Sequence, residues 1–285
     1  MKTSMGDVYI ELFYKNAPKT VKNFIDLAIG KKEFKDIKTG KKVKRPFYYG
    51  LPFYRVTKND AIYSGCTIGN GESEIGYEFE DEINAIDLDL DKLKVLDKRT
   101  WPHKWLPIPP LADSSQGEKR RYQQQFNMLI MLPLLKSMGI NPKDSGLKKD
   151  EINNKLEKLT LKECYENIGY KYNNKLKSHH PKKGTIMMDN SGPDTNGSLF
   201  IIALSDQNLR AGRHTVFGKI LSGMDVIEKI GLVPTENEIP KEKVSIISIR
   251  LFKNKNKKNP EVEVEVEVKV KNPKVEVEVE VKTNN

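Results

Sequence analysis

The chain is poor in cysteine, tryptophan and histidine, with two, two and four of them among 285 residues. Cys66 and Cys164 lie in segments of very different character, which excludes a disulfide framework and a sulfur-based metal spacing. They carry no information on compartment. His179-His180 has no acidic or sulfur partner at fixed spacing, so a solvated loop is expected there and no metal site. No apolar run approaches the ~20 residues of a membrane-spanning helix. A charged-then-apolar leader is missing as well, because strand-like sequence begins almost at Met1. A cytoplasmic protein is expected on that ground, or an exported one if a leader was removed. Met5-Gly6-Asp7 reads as a hairpin turn that leaves only Met1 to Ser4 for its first arm, so either removed upstream residues or an internal start is expected. Gly69-Asn70-Gly71 is not followed by the helix and Lys-Ser/Thr of a phosphate loop and reads as a turn.

What is present suffices for a core, since 37% of the residues are hydrophobic. The formal net charge of +10 comes from scattered lysines, mostly beside asparagine, on what read as solvated faces. No nucleic-acid partner is therefore expected. The one basic run, Lys253 to Lys258, reads as a linker at a domain edge.

Val8, Ile10 and Leu12 alternate with polar residues as in a strand. Ala17 to Gly30 predicts a helix, with Val21, Phe24, Ile25, Leu27 and Ala28 at helical spacing and Pro18 suited to its first turn. Strands are predicted over Leu51 to Thr57, Ala61 to Gly65, Thr185 to Met188, Leu199 to Leu204, Thr215 to Ile220 and Val244 to Phe252. A second helix is predicted over Ser222 to Ile230, capped by Ser222. Many strands and two helices predict a mainly β protein, a closed barrel plugged at its ends. Residues 84–180 break this pattern. They hold Trp101, His103 and Trp105, a Pro-rich connector from Leu106 to Pro110, and a helical stretch from Lys119 to Met138 that Pro133 kinks or ends. Two shorter helices follow, Asp150 to Leu159 and Leu161 to Ile168, the second capped by Thr160. The segment reads as a helical insertion, with the tryptophan cluster packing it against the barrel.

Beyond Asn259 a thirteen-residue unit occurs twice, KNPEVEVEVEVKV and KNPKVEVEVEVKT. Val/Glu alternation is a strand pattern, but Asn272-Pro273 does not suit a two-residue hairpin turn, and pairing the two units would stack Glu on Glu. The tail is either a disordered segment or an edge ribbon, an assembly feature in both cases.

The informative segments are Pro52-Phe53-Tyr54-Arg55-Val56, Gly76 to Glu82, Asn190-Ser191-Gly192-Pro193-Asp194-Thr195-Asn196-Gly197-Ser198-Leu199-Phe200-Ile201-Ile202, and Gly212-Arg213-His214-Thr215-Val216-Phe217-Gly218. In this order and spacing they resemble the cyclophilin family, over most of residues 1–83 and 181–252. The resemblance leaves out the insertion and the tail, residues 253–285. It implies a closed eight-stranded antiparallel β-barrel capped by two helices, and peptidyl-prolyl cis-trans isomerase activity on proline-containing peptides and unfolded proteins. It also implies a monomer with no cofactor and no metal. Arg55 matches the catalytic arginine, which donates to the proline nitrogen as the C–N bond twists. Asn190, Phe200 and His214 match substrate-binding positions, though His214 could equally be a satisfied structural histidine. Family members usually carry Phe, Met and Gln where this chain has Asp60, Ala61 and Tyr63, His at Tyr54, Phe at Ile201 and often Trp at Leu209. These departures predict isomerisation at least tenfold below a typical member and poor binding of cyclosporin. Two other readings stand beside this one: a non-catalytic proline-peptide or scaffold module, and a nucleic-acid binder resting on charge alone.

Overall fold

A computed structural model describes residues 1–36, 39–69, 71, 75–96, 102–108 and 116–252, except the side chain of Glu118. The Val/Glu tail, the basic run before it, Asn70 and Trp101 lie outside the described residues. In chain order the strands are β1 (Lys2–Thr3), β2 (Gly6–Asp7), β3 (Tyr9–Leu12), β4 (Phe34–Lys35), β5 (Lys42–Val43), β6 (Arg55–Thr57), β7 (Ala61–Ser64), β8 (Thr185–Met188), β9 (Phe200–Ala203), β10 (Val216–Ser222), β11 (Thr235–Glu236), β12 (Ile239–Pro240) and β13 (Ile246–Ser248). The helices are α1 (Pro18–Ala28), α2 (Gln116–Phe126), α3 (Leu132–Ser137), α4 (Lys149–Lys158), α5 (Leu161–Asn167) and α6 (Met224–Gly231).

The fold is mainly β around one six-stranded antiparallel sheet, in the order β3-β10-β8-β9-β7-β6, beside a three-stranded sheet β13-β1-β2. The segment before β6 also reaches β13: Gly50 N donates to Ile246 O (2.7 Å), Ile246 N to Leu51 O (2.9 Å) and Phe53 N to Val244 O (2.9 Å). Side chains alternate across β9. Phe200 and Ile202 face the main core with Phe24, Tyr48 and Phe217, whereas Ile201 and Ala203 join a smaller cluster with Tyr54, Ala61, Tyr63 and Met187.

Helix α1 buries Val21, Phe24 and Leu27 against this core, with Phe24 5.2 Å from Phe217. Ala17 offers no capping side chain, and the first turn has no acidic residue. Glu82 replaces both from a distance, accepting from Lys19 N (3.0 Å) and Thr20 N (2.8 Å), where the exposed amides and the helix dipole favour an anion. Helix α6 differs from expectation at its start. Ser222 ends β10, and Gly223 takes the N-cap position with φ 86° and no side-chain cap.

The predicted helix of the insertion runs through Pro133 without ending. Between α2 and α3, Asn127–Met131 widens into one π-helical turn. Proline has no N–H for the carbonyl four residues back, Leu129 O. That carbonyl is taken by the Cys164 thiol at 3.6 Å, from α5. Helix α5 begins at Thr160 in a reciprocal capping box with Glu163, as a Thr-x-x-Glu start favours. A second hydrophobic cluster lies among residues 83–170, with Leu90, Leu106, Ile130, Leu134, Leu161 and Tyr165 almost fully buried. Within it Trp105 lies against His103 and His180, at 5.7 and 6.0 Å between ring centres.

Candidate functional site

Arg55 starts β6, the edge of the six-stranded sheet, and stands directly opposite Tyr63 on β7. Its guanidinium lies over the Tyr63 ring, 4.9 Å from the ring centre, with about half of the side chain exposed. Nε donates to Glu238 Oε2 at 2.7 Å, and Nη2 lies 2.6 Å from the same oxygen. Burial opposes the guanidinium charge, but Tyr63, Glu238 and Asp189 outweigh it and raise the Arg55 pKa. Arg55 therefore stays a cation and a donor at every ordinary pH.

Tyr63 is buried, opposite Ile201 on β9, and its hydroxyl accepts from Arg210 Nη2. Burial raises the Tyr63 pKa against the pull of Arg210 and Arg55, so the phenol stays protonated. Arg210 ends a short 3₁₀ turn, Asn208–Arg210, and reaches Gln207 Oε1 and Asp60, whose Oδ2 is 3.7 Å from Nη1. Asp60 also accepts from Gln207 Nε2 at 2.8 Å. A carboxylate beside an apolar pocket needs a partner, and this one has two. Ala61 is fully buried, and Leu209 is half exposed on the 3₁₀ turn.

A third carboxylate approaches from β8's end. Asp189 Oδ2 accepts from the Tyr54 hydroxyl at 3.3 Å. Burial raises the Asp189 pKa, while the Tyr54 hydrogen bond, Arg210 and Arg55 lower it. The surroundings of Arg55 thus contain Arg210, Asp60, Asp189, Glu238 and two tyrosines.

The other expected residues are placed as follows. Asn190 turns its amide inward, donating to Arg213 O at 3.0 Å and lying 3.2 Å from Asn196 Oδ1 and 3.3 Å from Asp81 Oδ1. Phe200 packs into the main core, 5.6 Å from Phe24 and 5.7 Å from Tyr48, because strand alternation turns Ile201, not Phe200, to the face shared with Tyr63. His214 Nδ1 is 3.0 Å from Met188 O. Burial, then Arg213 and Arg210, push the His214 pKa down to about 3 against the hydrogen bond that the ring donates to that carbonyl, so the ring is neutral. Sequence reasoning missed Arg210, Asp189, Gln207 and Glu238. Asp189 and Arg210 adjoin the predicted Asn190 and Leu209, and Asn237-Glu238 between two short β-rich pairs carries a turn signal.

Among the described residues no group of three or more His, Cys, Asp or Glu could hold a metal ion, and no helix is long and apolar enough to cross a membrane.

The family described as cyclophilin type peptidyl-prolyl cis-trans isomerase/CLD matches residues 1–251. The chain belongs to the cyclophilin family. It is 42% identical over 253 residues to peptidyl-prolyl cis-trans isomerase B of Streptomyces anulatus, covering 87% of this chain and 93% of the relative. It is 24% identical over 251 residues to peptidyl-prolyl cis-trans isomerase-like 1 of Homo sapiens, covering 87% of each. A Cryptosporidium parvum cyclophilin type isomerase, crystallised in the presence of the dipeptide Ala-Pro, aligns over 88% of this chain and 96% of its own, with a TM-score of 0.46 and 19% identity.

Proposed function

We propose that the protein is a peptidyl-prolyl cis-trans isomerase acting on X-Pro bonds of peptides and folding chains, slower than a typical cyclophilin. One observation carries the reading: the Arg55 cation stands half exposed on the sheet edge, held over Tyr63. Rotation about the peptide C–N bond meets a barrier of ~18 to 20 kcal/mol because the nitrogen lone pair is delocalised. A donor that bonds this nitrogen only when the bond is twisted favours the transition state over both planar isomers. Ile201, Ala61 and Tyr63, all buried, form the apolar floor beneath the proline site, with Asp60 and Leu209 at its rim and Asn190 and His214 bordering the peptide's path. The charged groups beside Arg55, above all Asp189 and Arg210, lower affinity for an apolar ring and for cyclosporin. Those same groups favour a second reading, a module that binds proline peptides without turnover.

The reading extends to the architecture. The bonds from residues 50–53 to Val244 and Ile246 support closure of the two sheets into one barrel, eight-stranded when β2 and β3, separated only by Val8, are counted as a single strand. The separate core under the helices supports a division into a barrel (1–83 and 181–252) and an insertion (84–180). The barrel acts as a monomer.

A protease-coupled isomerisation assay on an Ala-Pro tetrapeptide tests the function. A weak wild-type rate that falls at least tenfold in Arg55→Ala is expected. A rate that Arg55→Ala leaves unchanged overturns the mechanism. Peptide binding seen by NMR without any turnover establishes the second reading.

A further inference from the structure

The hairpin β11–β12 ends on Asn237 and Glu238, whose backbones are both left-handed, with φ 50° and 65°. Two-residue hairpin turns of this kind match the strand twist and favour Asn followed by Gly. Glu at the second place carries a steric penalty that Gly does not. An occupied strained position of this kind points to a role for its side chain. Here the residue is tied to all three residues of β6. Its carboxylate takes Arg55 Nε and Nη2 on one oxygen and Thr57 Oγ1 on the other (3.0 Å), and its carbonyl accepts from Val56 N (2.8 Å).

We propose that Glu238 is a positioning residue for Arg55, an inference that rests on the isomerase reading above. The guanidinium has five N–H donors in a fixed plane. Glu238 engages the Nε edge, and the Tyr63 ring supports the plane from below. The Nη1 end, on the far side from Nε, is left to meet the substrate nitrogen. An arginine side chain this exposed otherwise samples many rotamers, and ordering it in the transition state would slow the reaction. An ion pair as exposed as this one contributes little to stability, so its consequence falls on the rate.

Kinetics and NMR on the full chain test the inference. In wild type the Arg55 Nε–H resonance is expected to be sharp and slow to exchange, and in Glu238→Ala to broaden into fast exchange. This signal reads the clamp whether or not the protein turns over substrate, so failure of the isomerase reading shows separately as absent wild-type activity. Given activity, Glu238→Ala lowers kcat about tenfold with KM within twofold, and Glu238→Gln, which keeps an acceptor oxygen, recovers most of the loss. Glu238→Gly suits the left-handed backbone and is expected to keep Tm within a few degrees of wild type while losing the same rate, which separates positioning from folding. In Arg55→Ala, adding Glu238→Ala costs nothing further. The inference is overturned if the Nε–H signal is the same with and without Glu238, if Glu238→Ala keeps or raises kcat, or if the two losses multiply.

Discussion

His214 shows how one side chain acquires its chemistry from burial. In the unfolded chain its imidazole titrates near 6.5, whereas in the folded protein burial, Arg213 and Arg210 bring it to about 3. Between these values the unfolded state binds a proton that the native state does not, so acidification favours unfolding. The stabilisation is complete above pH 6.5 and is lost as the pH falls from 6.5 towards 3. Denaturant unfolding of His214→Gln is expected to show a shallower loss of stability over this window than wild type. The same shift gives a kinetic expectation: the isomerisation rate carries no His214 step between pH 6 and 8. Arg55, which matches the family's arginine, and Tyr63 and Asp60, which read as pocket substitutions, are each satisfied by partners, Glu238, Arg210 and Gln207, that lie far off in sequence.

At the scale of elements, two helices depend on partners outside themselves. Glu82, 5% exposed, is the distant cap of α1. Glu82→Ala leaves those two amides without their acceptor and is expected to cost about 1 to 2 kcal/mol, measured by urea unfolding. In the insertion, Pro133 and Cys164 form a pair through Leu129 O. Cys164→Ala is expected to cost about 1 to 3 kcal/mol, since it removes the thiol that donates to Leu129 O together with a buried, packed side chain. Pro133→Ala restores an N–H four residues beyond Leu129. In that background the cost of Cys164→Ala should shrink, and a double-mutant cycle measures the coupling. Burial pushes the Cys164 thiol up to about 12, which suits a donor that stays protonated and inert.

Across the whole molecule, the second hydrophobic cluster adjoins the loop that carries His214. Tyr172 donates to Gly212 O at 3.0 Å, Lys171 pairs with Asp194 at 3.1 Å, and a Cβ on Gly212 would lie 2.3 Å from Leu90 Cδ1. With φ +79° as well, Gly212 suits a position where any side chain would collide with Leu90. Leu134 lies wholly within the insertion's core. Leu134→Ala is expected to cost about 2 to 5 kcal/mol there. Hydrogen exchange should report the loss in α3 and α5 first, while β7, β8 and β9 keep their protection.

The elements with strong local signals were legible in the sequence. Helix α1 follows from its spacing and Pro18, α5 from Thr160, and β8 and β9 from short apolar runs between turn residues. Ordered motifs around Arg55, Asn190 and His214 also marked the family, because these short segments keep their residue order in the chain. What sequence could not convey depended on faces and distances. Alternation along β9 assigns Phe200 to the main core and Ile201 to the smaller cluster with Tyr63, and the phase is set by which side packs on α1. Pro133 read as a kink or an end of the helix, and the structure decides for continuation through a π-helical turn, with a thiol on α5 taking the freed carbonyl. Only the tertiary structure sets Glu238 against Arg55 and Arg210 against Tyr63, pairs separated by 183 and 147 residues. Short-range backbone preferences are written locally in the chain, whereas a charge's partner is decided by how the sheets and loops close in space.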